Sequence, residues 1–237
     1  MIKLENVTKL YKNRRGIKDF SLSVNKGDII GLLGPNGSGK TTIMKAILGL
    51  IPYDSGSIKI NDMELSEHGA KILSTVGALI EAPAIYKDLS AYNNLKLSAR
   101  NKEDIQDIDR VLKVVHMEKY TNDKAGRFSL GMKQRLGLAA AFLGKPDIVI
   151  LDEPVNGLDI EGVVQIRDYI KKMSVENGTT FIISSHIASE IEKLCTHTAV
   201  IYESEAIAFD STENIMRLYP SMEDYFLSKI HEKRGGI

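Results

Sequence analysis

Residues 129–134 read Ser-Leu-Gly-Met-Lys-Gln, residues 148–154 read Ile-Val-Ile-Leu-Asp-Glu-Pro, and residues 157–159 read Gly-Leu-Asp. The first segment is typical of a capped helix N-terminus, where free backbone N–H groups and the helix dipole attract an anion. The second is an apolar run that ends in two acids, which predicts a buried strand leading to a polar site. This combination indicates one particular class of nucleotide-dependent proteins.

A phosphate-binding loop lies upstream, where residues 34–41 read Gly-Pro-Asn-Gly-Ser-Gly-Lys-Thr. An apolar run over residues 28–33 precedes this loop, and a helix is expected from Thr41 to about Leu50. Backbone N–H groups of such a loop surround the β-phosphate, its lysine reaches the β- and γ-phosphates, and its threonine hydroxyl binds Mg²⁺. We therefore predict ATP and Mg²⁺ as ligands. The predicted nucleotide contacts in the loop are Gly34, Asn36, Gly37, Ser38, Gly39, Lys40, Thr41 and Thr42.

Asp152 and Glu153 end the apolar run, where carboxylates are poorly placed unless they have a function. We expect Asp152 to hold Mg²⁺ together with Thr41, and Glu153 to be the base that polarises an attacking water. Lys40 would stabilise the negative charge that develops during hydrolysis. Taken alone, an acid pair at a strand end is usually an ordinary loop start. The phosphate loop upstream and a histidine downstream favour the catalytic interpretation.

Two further side chains are ambiguous when they are considered singly. His186 follows an apolar strand over residues 181–185, and beside a nucleotide it would contact the γ-phosphate and sense hydrolysis. A lone histidine is more often a capped or packed side chain than a catalytic one. Tyr11 could stack on adenine through its π-face, although core packing is nearly as good an interpretation of a single aromatic residue.

The helix start at Ser129 and Gly131 is a second predicted anion site. One ATP needs only one phosphate loop. This second site therefore suggests contact with an ATP that is bound to another subunit.

Composition narrows the possible partners and compartments. The 237 residues include 31 basic and 31 acidic side chains, so no net charge points to nucleic acid or to anionic lipid. A single Cys195 suits a reducing compartment. We expect neither a secretory signal nor a membrane-spanning segment, because no N-terminal apolar region and no long apolar run is present. A role in transport would therefore require another protein to form the channel.

The order of patterns predicts an α/β fold with an inserted helical lobe. Alternating residues near the N-terminus indicate strands, whereas apolar residues recur at helical spacing from Ile105 onward. We expect one domain over residues 1–227, with the helical lobe at about residues 85–145. The last 17 residues or so are expected to form a helix and a polar tail, with the tail at residues 228–237.

Taken in order, these motifs resemble the ATP-binding subunit of ABC transporters over about residues 2–227. The resemblance implies a P-loop NTPase core of the ABC-ATPase type, with an N-terminal antiparallel β subdomain and an inserted helical subdomain. It also implies a head-to-tail dimer, in which Ser129 and Gly131 of one subunit close on the ATP of the other and Asp159 couples the two sites. Tyr11 would be the adenine platform, and His186 the switch residue.

Two departures from the family pattern point to a subgroup. The usual Ser-Gly-Gly-Gln signature has Leu130 and Met132 in place of a glycine and the glutamine, and Glu81 stands where most relatives have glutamine. An acid at this position resembles exporters of lantibiotics and of bacitracin-type peptides, although Ile160 replaces the proline that is commoner there. We expect Glu81 to contact the metal or its water, and to tighten the dependence of the ATPase on Mg²⁺.

The resemblance thus implies ATP hydrolysis that powers export by a separate membrane permease, with the subunit at the cytoplasmic face of the membrane. The cargo implied is a peptide antibiotic or bacteriocin, exported for self-immunity or resistance. One alternative is an ABC-type ATPase that is not coupled to transport, acting in translation, DNA repair or iron–sulfur assembly. Another is a regulatory module that binds ATP without hydrolysing it.

Overall fold

The strands of this chain form two sheets, and the larger sheet contains the apolar run that precedes the phosphate loop. The structure is a computed structural model that describes residues 1–12 and 15–235, so residues 236 and 237 of the predicted tail lie outside the described residues. The strands are β1 (Ile2–Leu10), β2 (Gly16–Val24), β3 (Ile29–Leu33), β4 (Ser55–Ile60), β5 (Met63–Glu64), β6 (Val76–Leu79), β7 (Ile148–Asp152), β8 (Thr180–Ser185), β9 (His197–Tyr202) and β10 (Glu205–Ser211).

The helices connect these strands and cover the larger sheet. Within the part of the chain that the structure describes, no helix combines the length and the apolar character that crossing a membrane requires. The helices are α1 (Lys40–Ile47), α2 (Leu65–Leu73), α3 (Ala91–Ser98), α4 (Lys102–Gln106), α5 (Ile108–Val114), α6 (Leu130–Phe142), α7 (Ile160–Asn177), α8 (Ala188–Leu194), α9 (Thr212–Leu218) and α10 (Met222–Lys233), with short 3₁₀ turns at Glu118–Tyr120 and Ala125–Arg127.

The larger sheet has six strands in the order β10-β9-β3-β8-β7-β6. Strand β3 pairs in parallel with β8 and β9, and β7 pairs in parallel with β6 and β8. Strands β3, β7 and β8 are buried at every residue. Parallel sheets are covered on both faces, which explains why these strands read as continuous apolar runs.

Alternate residues of the central strands enter two different cores. Leu33, Leu151 and Phe181 face the core that includes the inserted helices α3 to α6. Ile30 and Ile182 face the other core, which includes α1 and the N-terminal strands. The period of two along each strand therefore divides the apolar side chains between the two layers that cover the sheet.

The N-terminal strands form a separate four-stranded sheet in the order β2-β1-β4-β5. Every strand pair in it is antiparallel. Its strands alternate between buried and exposed residues because only one face packs on the core. The predicted α/β class, with an antiparallel N-terminal subdomain and inserted helices, is confirmed.

Helix boundaries differ from the sequence predictions in two places. The helix after the phosphate loop ends at Ile47 rather than near Leu50, because Gly49 adopts a left-handed conformation with φ of 63°. Backbone bonds from Gly49 N to Ala46 O and from Leu50 N to Lys45 O then close the helix end. At the C-terminus, α10 continues to Lys233 and so passes the boundary that was predicted at residue 227.

Gly77 in β6 provides a test of how closely the sheet and α6 approach each other. A Cβ at Gly77 would lie 1.9 Å from the carbonyl oxygen of Ala141. Because that obstacle is backbone, Gly77→Ala should lower the free energy of unfolding by about 1–3 kcal/mol in urea denaturation. Gly69→Ala in α2 is the control, since a Cβ there meets nothing within 4 Å and should raise stability by about 0.5–1 kcal/mol. Unchanged stability of Gly77→Ala would contradict this close packing.

Candidate nucleotide site

The phosphate loop connects the carboxyl end of β3 to the N-terminus of α1. Gly37 has a φ of 80°, and a Cβ there would meet no atom within 4 Å, so its face of the loop is open. Gly39 has a φ of 116°, and a Cβ there would lie 2.2 Å from the carbonyl oxygen of Gly16. Gly39 is therefore required both by its backbone conformation and by the approach of β2.

Lys40 is buried at the base of this loop. Its Nζ donates to the carbonyl oxygens of Gly34 at 2.7 Å and Pro35 at 3.1 Å. Burial lowers the pKa of Lys40, and the carboxylates of Glu153 and Asp152 oppose that shift. The ammonium group thus holds the loop closed while it faces two acids.

The cleft beside the loop, called here the phosphate-loop cleft, brings distant parts of the chain together. Its walls include most of the predicted nucleotide contacts. Gly34 and Ser38 are not among the lining residues, and Ser38 Oγ is buried without a hydrogen-bond partner among the described residues. The lining residues are Tyr11, Arg15, Gly16, Asn36, Gly37, Gly39, Lys40, Thr41, Thr42, Asp152 and Glu153. Tyr11 lines this cleft and is 44% exposed, so it is not packed in the core.

Asp152 is the buried last residue of β7 and bonds to two neighbouring elements. Thr41 Oγ1 donates to Asp152 Oδ2 at 2.8 Å. The hydroxyl of Ser184 donates to Asp152 Oδ1. The parallel register of β7 and β8 places Asp152 directly opposite Ser184, which explains the second bond.

Glu153 has left-handed backbone geometry, with a φ of 50°. Its backbone N–H donates to Ser184 Oγ at 3.0 Å, so one serine holds both acids. Its carboxylate lies 2.9 and 3.0 Å from Nδ1 of His186. An ionised carboxylate only accepts hydrogen bonds, so Nδ1 carries the proton in this pair. His186 thus meets the proposed base directly.

Ser129 and Gly131, which were expected to contact the ATP of another subunit, lie outside the phosphate-loop cleft. Ser129 caps α6, and its Oγ accepts from Met132 N at 3.2 Å. A Cβ at Gly131 would lie 2.6 Å from the carbonyl oxygen of Gly157. The start of α6 therefore packs against the loop that follows Asp152 and Glu153 in the same chain. Leu130, between Ser129 and Gly131, is 71% exposed.

Asp159 joins the same loop to two helices. It caps α7 by accepting from Gly162 N at 3.1 Å, and it forms an ion pair with Arg135 Nη2 at 3.0 Å. The bond from Gly162 and the charge of Arg135 lower the pKa of Asp159 below its usual value. The carboxylate is therefore held in its ionised form.

The carboxylate of Glu81 forms an ion pair with Lys45. Glu81 has a φ of 60°, and its Oε1 lies 2.6 Å from Nζ of Lys45. Glu81 nevertheless lines a second cleft, called here the acidic cleft. The lining residues of the acidic cleft are Glu81, Ala82, Pro83, Leu130, Gln134, Asp152, Glu153 and Asn156.

Several residues of these sites were not identified from the sequence. Ser184 orients both acids, and Gln134 donates to the carbonyl oxygen of Pro154 at 2.9 Å. Arg15 lines the phosphate-loop cleft, and Lys45 and Arg135 pair with predicted site residues. The pairing of two parallel strands that both end in polar residues was the available signal for Ser184. The others depend on contacts that no local pattern indicates.

Comparison with known proteins supports the same assignment. A family model described as ABC transporter matches residues 17–156. The chain is 41% identical over 226 residues to the bacitracin transport ATP-binding protein BcrA of Bacillus licheniformis, covering 92% of this chain and 73% of that protein. It is 39% identical over 223 residues to the lantibiotic transport ATP-binding protein SrtF of Streptococcus pyogenes, covering 92% of this chain and 96% of that protein.

Solved structures share the fold at low sequence identity. An ATP-binding subunit of an ABC transporter superposes with a TM-score of 0.88 at 23% identity, covering 97% of this chain and 99% of that one. The dimeric structure of a bacterial ABC transporter cassette gives a TM-score of 0.81 at 24% identity, covering 90% and 99%. The chain therefore belongs to the ABC transporter family, as an ATP-binding subunit that hydrolyses ATP to power transport.

Proposed function

We propose that this subunit powers export of a peptide antibiotic or bacteriocin by a separate membrane permease, giving self-immunity or resistance. The names of its relatives support this cargo. They include bacitracin transport and lantibiotic transport, and a relative at 34% identity over 220 residues, named for linearmycin resistance in Bacillus subtilis, supports the role in resistance. The subunit would sit at the cytoplasmic face of the membrane, held there by the permease.

The observation that carries the proposed chemistry is the meeting of Lys40, Thr41, Asp152 and Glu153 in one cleft. Backbone N–H groups of the loop and the positive end of α1 would bind the phosphates. Lys40 would exchange its loop carbonyls for phosphate oxygens, and the exposed ring of Tyr11 would stack on adenine. Gly34 and Ser38 would shape the loop from behind, whereas Asn36, Gly37, Gly39 and Thr42 would line the nucleotide.

Thr41 and Asp152 fit the requirements of Mg²⁺. Their side chains supply hard oxygen atoms that already meet at 2.8 Å. Among the described residues, no group of three or more His, Cys, Asp or Glu side chains is arranged as a metal site. Glu81, which lines the acidic cleft with Asp152, would contact the ion or its water, and nucleotide phosphates and water would supply the other ligands. When bound, the ion would neutralise charge on the β- and γ-phosphates.

Glu153 is the proposed base. It would orient a water for in-line attack on the γ-phosphorus and accept its proton, as the bond to the bridging oxygen breaks to give ADP and phosphate. His186, whose Nδ1 lies 2.9 Å from Glu153 Oε1, would turn its N–H toward the γ-phosphate and report the loss of that phosphate. Ser184 holds the Glu153 backbone so that this carboxylate points into the cleft.

The signature and Asp159 are proposed to act across a dimer of two such subunits, either identical or paralogous. Ser129 and Gly131 would face the ATP of the partner, and Asp159 would lie across the interface. Exposed apolar residues support this interface, since Leu130 within the signature is 71% exposed and Ile160 beside Asp159 is 87% exposed. A second subunit would remove this apolar surface from water.

Replacing Glu153 tests the assignment of the base. Glu153→Gln should reduce ATP turnover by about 100-fold or more, because the amide cannot accept the proton, while ATP affinity is retained. Phosphate release and binding of a fluorescent ATP analogue measure the two effects. Glu176→Gln, exposed near the far end of α7, is the matched control. Normal turnover by Glu153→Gln would remove Glu153 as the base.

Replacing Lys40 tests the phosphate loop itself. Lys40→Ala should weaken ATP binding by about 10- to 100-fold, since it removes a charge-assisted contact of about 1.5–3 kcal/mol. Isothermal titration with ATP and Mg²⁺ measures this loss, and Lys172→Ala on the surface of α7 is the control. Unaltered affinity would contradict the role assigned to Lys40.

Co-purification tests the coupling to transport. The tagged Glu153→Gln subunit, which should retain ATP and a closed dimer, should recover a stoichiometric polytopic protein from solubilised membranes of its native cell. The untagged subunit is the control for adventitious binding. Recovery only from the soluble fraction, alone or with a non-membrane partner, would favour an ABC ATPase without a permease.

A further inference from the structure

Two side chains on one face of α1 hold two different acids. Thr41 and Lys45 are four residues apart, so they project from the same face of the helix. Thr41 donates to Asp152, and Lys45 forms an ion pair with Glu81 at 2.6 Å. A single helix face therefore contacts both the metal-binding acid and the loop that carries Glu81.

Glu81 and Glu153 follow the carboxyl ends of neighbouring strands. Strands β6 and β7 pair in parallel with Leu79 opposite Leu151, so Glu81 and Glu153 each lie two residues beyond this paired position. Both have left-handed backbone geometry, with φ of 60° and 50°. Glu81, Asp152 and Glu153 line the acidic cleft, but the carboxylate of Glu81 pairs with Lys45.

We propose that Lys45 is a positioning residue that holds the Glu81 loop on α1 until a divalent cation arrives with ATP. Lys45 and the cation then compete for the same carboxylate. Release of Lys45 frees Glu81 to turn toward the cation and lets its loop move. This inference rests on the proposed function, since it assumes that Mg²⁺ is bound beside Thr41 and Asp152.

The physical properties of the pair suit an exchangeable contact. The side chain of Lys45 is 27% exposed and that of Glu81 is 63% exposed. Exposed ion pairs of this kind contribute little stability. A bound divalent cation is the largest local charge in such a site, so it can displace a lysine from a carboxylate. Before the cation arrives, Lys45 also keeps the charge of Glu81 from adding to that of Asp152 and Glu153.

A double-mutant cycle tests this competition. The free Mg²⁺ concentration that gives half-maximal ATPase should fall by about two- to fivefold in Lys45→Met, because the competitor for Glu81 is removed. The same change in a Glu81→Gln background should have no effect, since the amide carries no charge to compete for. Lys45→Arg should restore the wild-type value, and Lys71→Met on α2 is the charge-matched control. An equal shift in both backgrounds, or none in either, would overturn the proposal.

Hydrogen exchange provides a readout that does not depend on activity. In nucleotide-free protein, the backbone amides of residues 80–82 should exchange faster in Lys45→Met and in Glu81→Gln than in wild type. Unchanged exchange in both variants would overturn the claim that Lys45 holds the loop. If wild type instead lacked ATPase activity, the proposed function would fail, and the exchange measurement would still decide whether the pair orders the loop.

Discussion

The parallel pairing of β3, β7 and β8 is the constraint on which the site depends. Carboxyl ends of parallel strands meet at one edge of the sheet, so the phosphate loop, the acid pair and His186 meet although they are far apart in the chain. Thr41 and Asp152 bond across 111 residues, and Glu153 and His186 meet across 33. The register between Asp152 and Ser184 then lets one hydroxyl orient both acids.

Each acid at this edge of the sheet has a basic or hydrogen-bonding partner. Lys40 faces Asp152 and Glu153, His186 donates to Glu153, and Lys45 pairs with Glu81. In the proposed mechanism, phosphate oxygens would become partners of Lys40 and His186, and the divalent cation would compete with Lys45 for Glu81. This proposed exchange of partners would link binding to the movement of the surrounding loops. The cost of separating the more exposed Lys45–Glu81 pair is small, which suits a cycle that must reverse.

The signature helix contributes to the same edge from outside the phosphate-loop cleft. Gly131 packs on Gly157, Gln134 donates to Pro154, and Arg135 pairs with Asp159. Helix α6 is thus joined at three points to the loop that follows the proposed base. A subunit that contacts the signature would therefore act on the loop next to Glu153, through these packing, hydrogen-bond and ion-pair contacts. This connection gives a physical route between two ATP sites in the proposed dimer.

The sequence by itself determined the buried strands β3, β7 and β8, the phosphate loop and the chemistry of the acids. Continuous apolar runs predict strands buried on both faces, and the glycine pattern predicts the loop, because both signals are local. Tertiary structure alone decided which side chains meet. The register that joins Ser184 to Asp152, the left-handed turn at Glu81 and its pairing with Lys45 depend on how separate strands align. No local pattern carries that information, since a one-residue change of register would direct these side chains elsewhere.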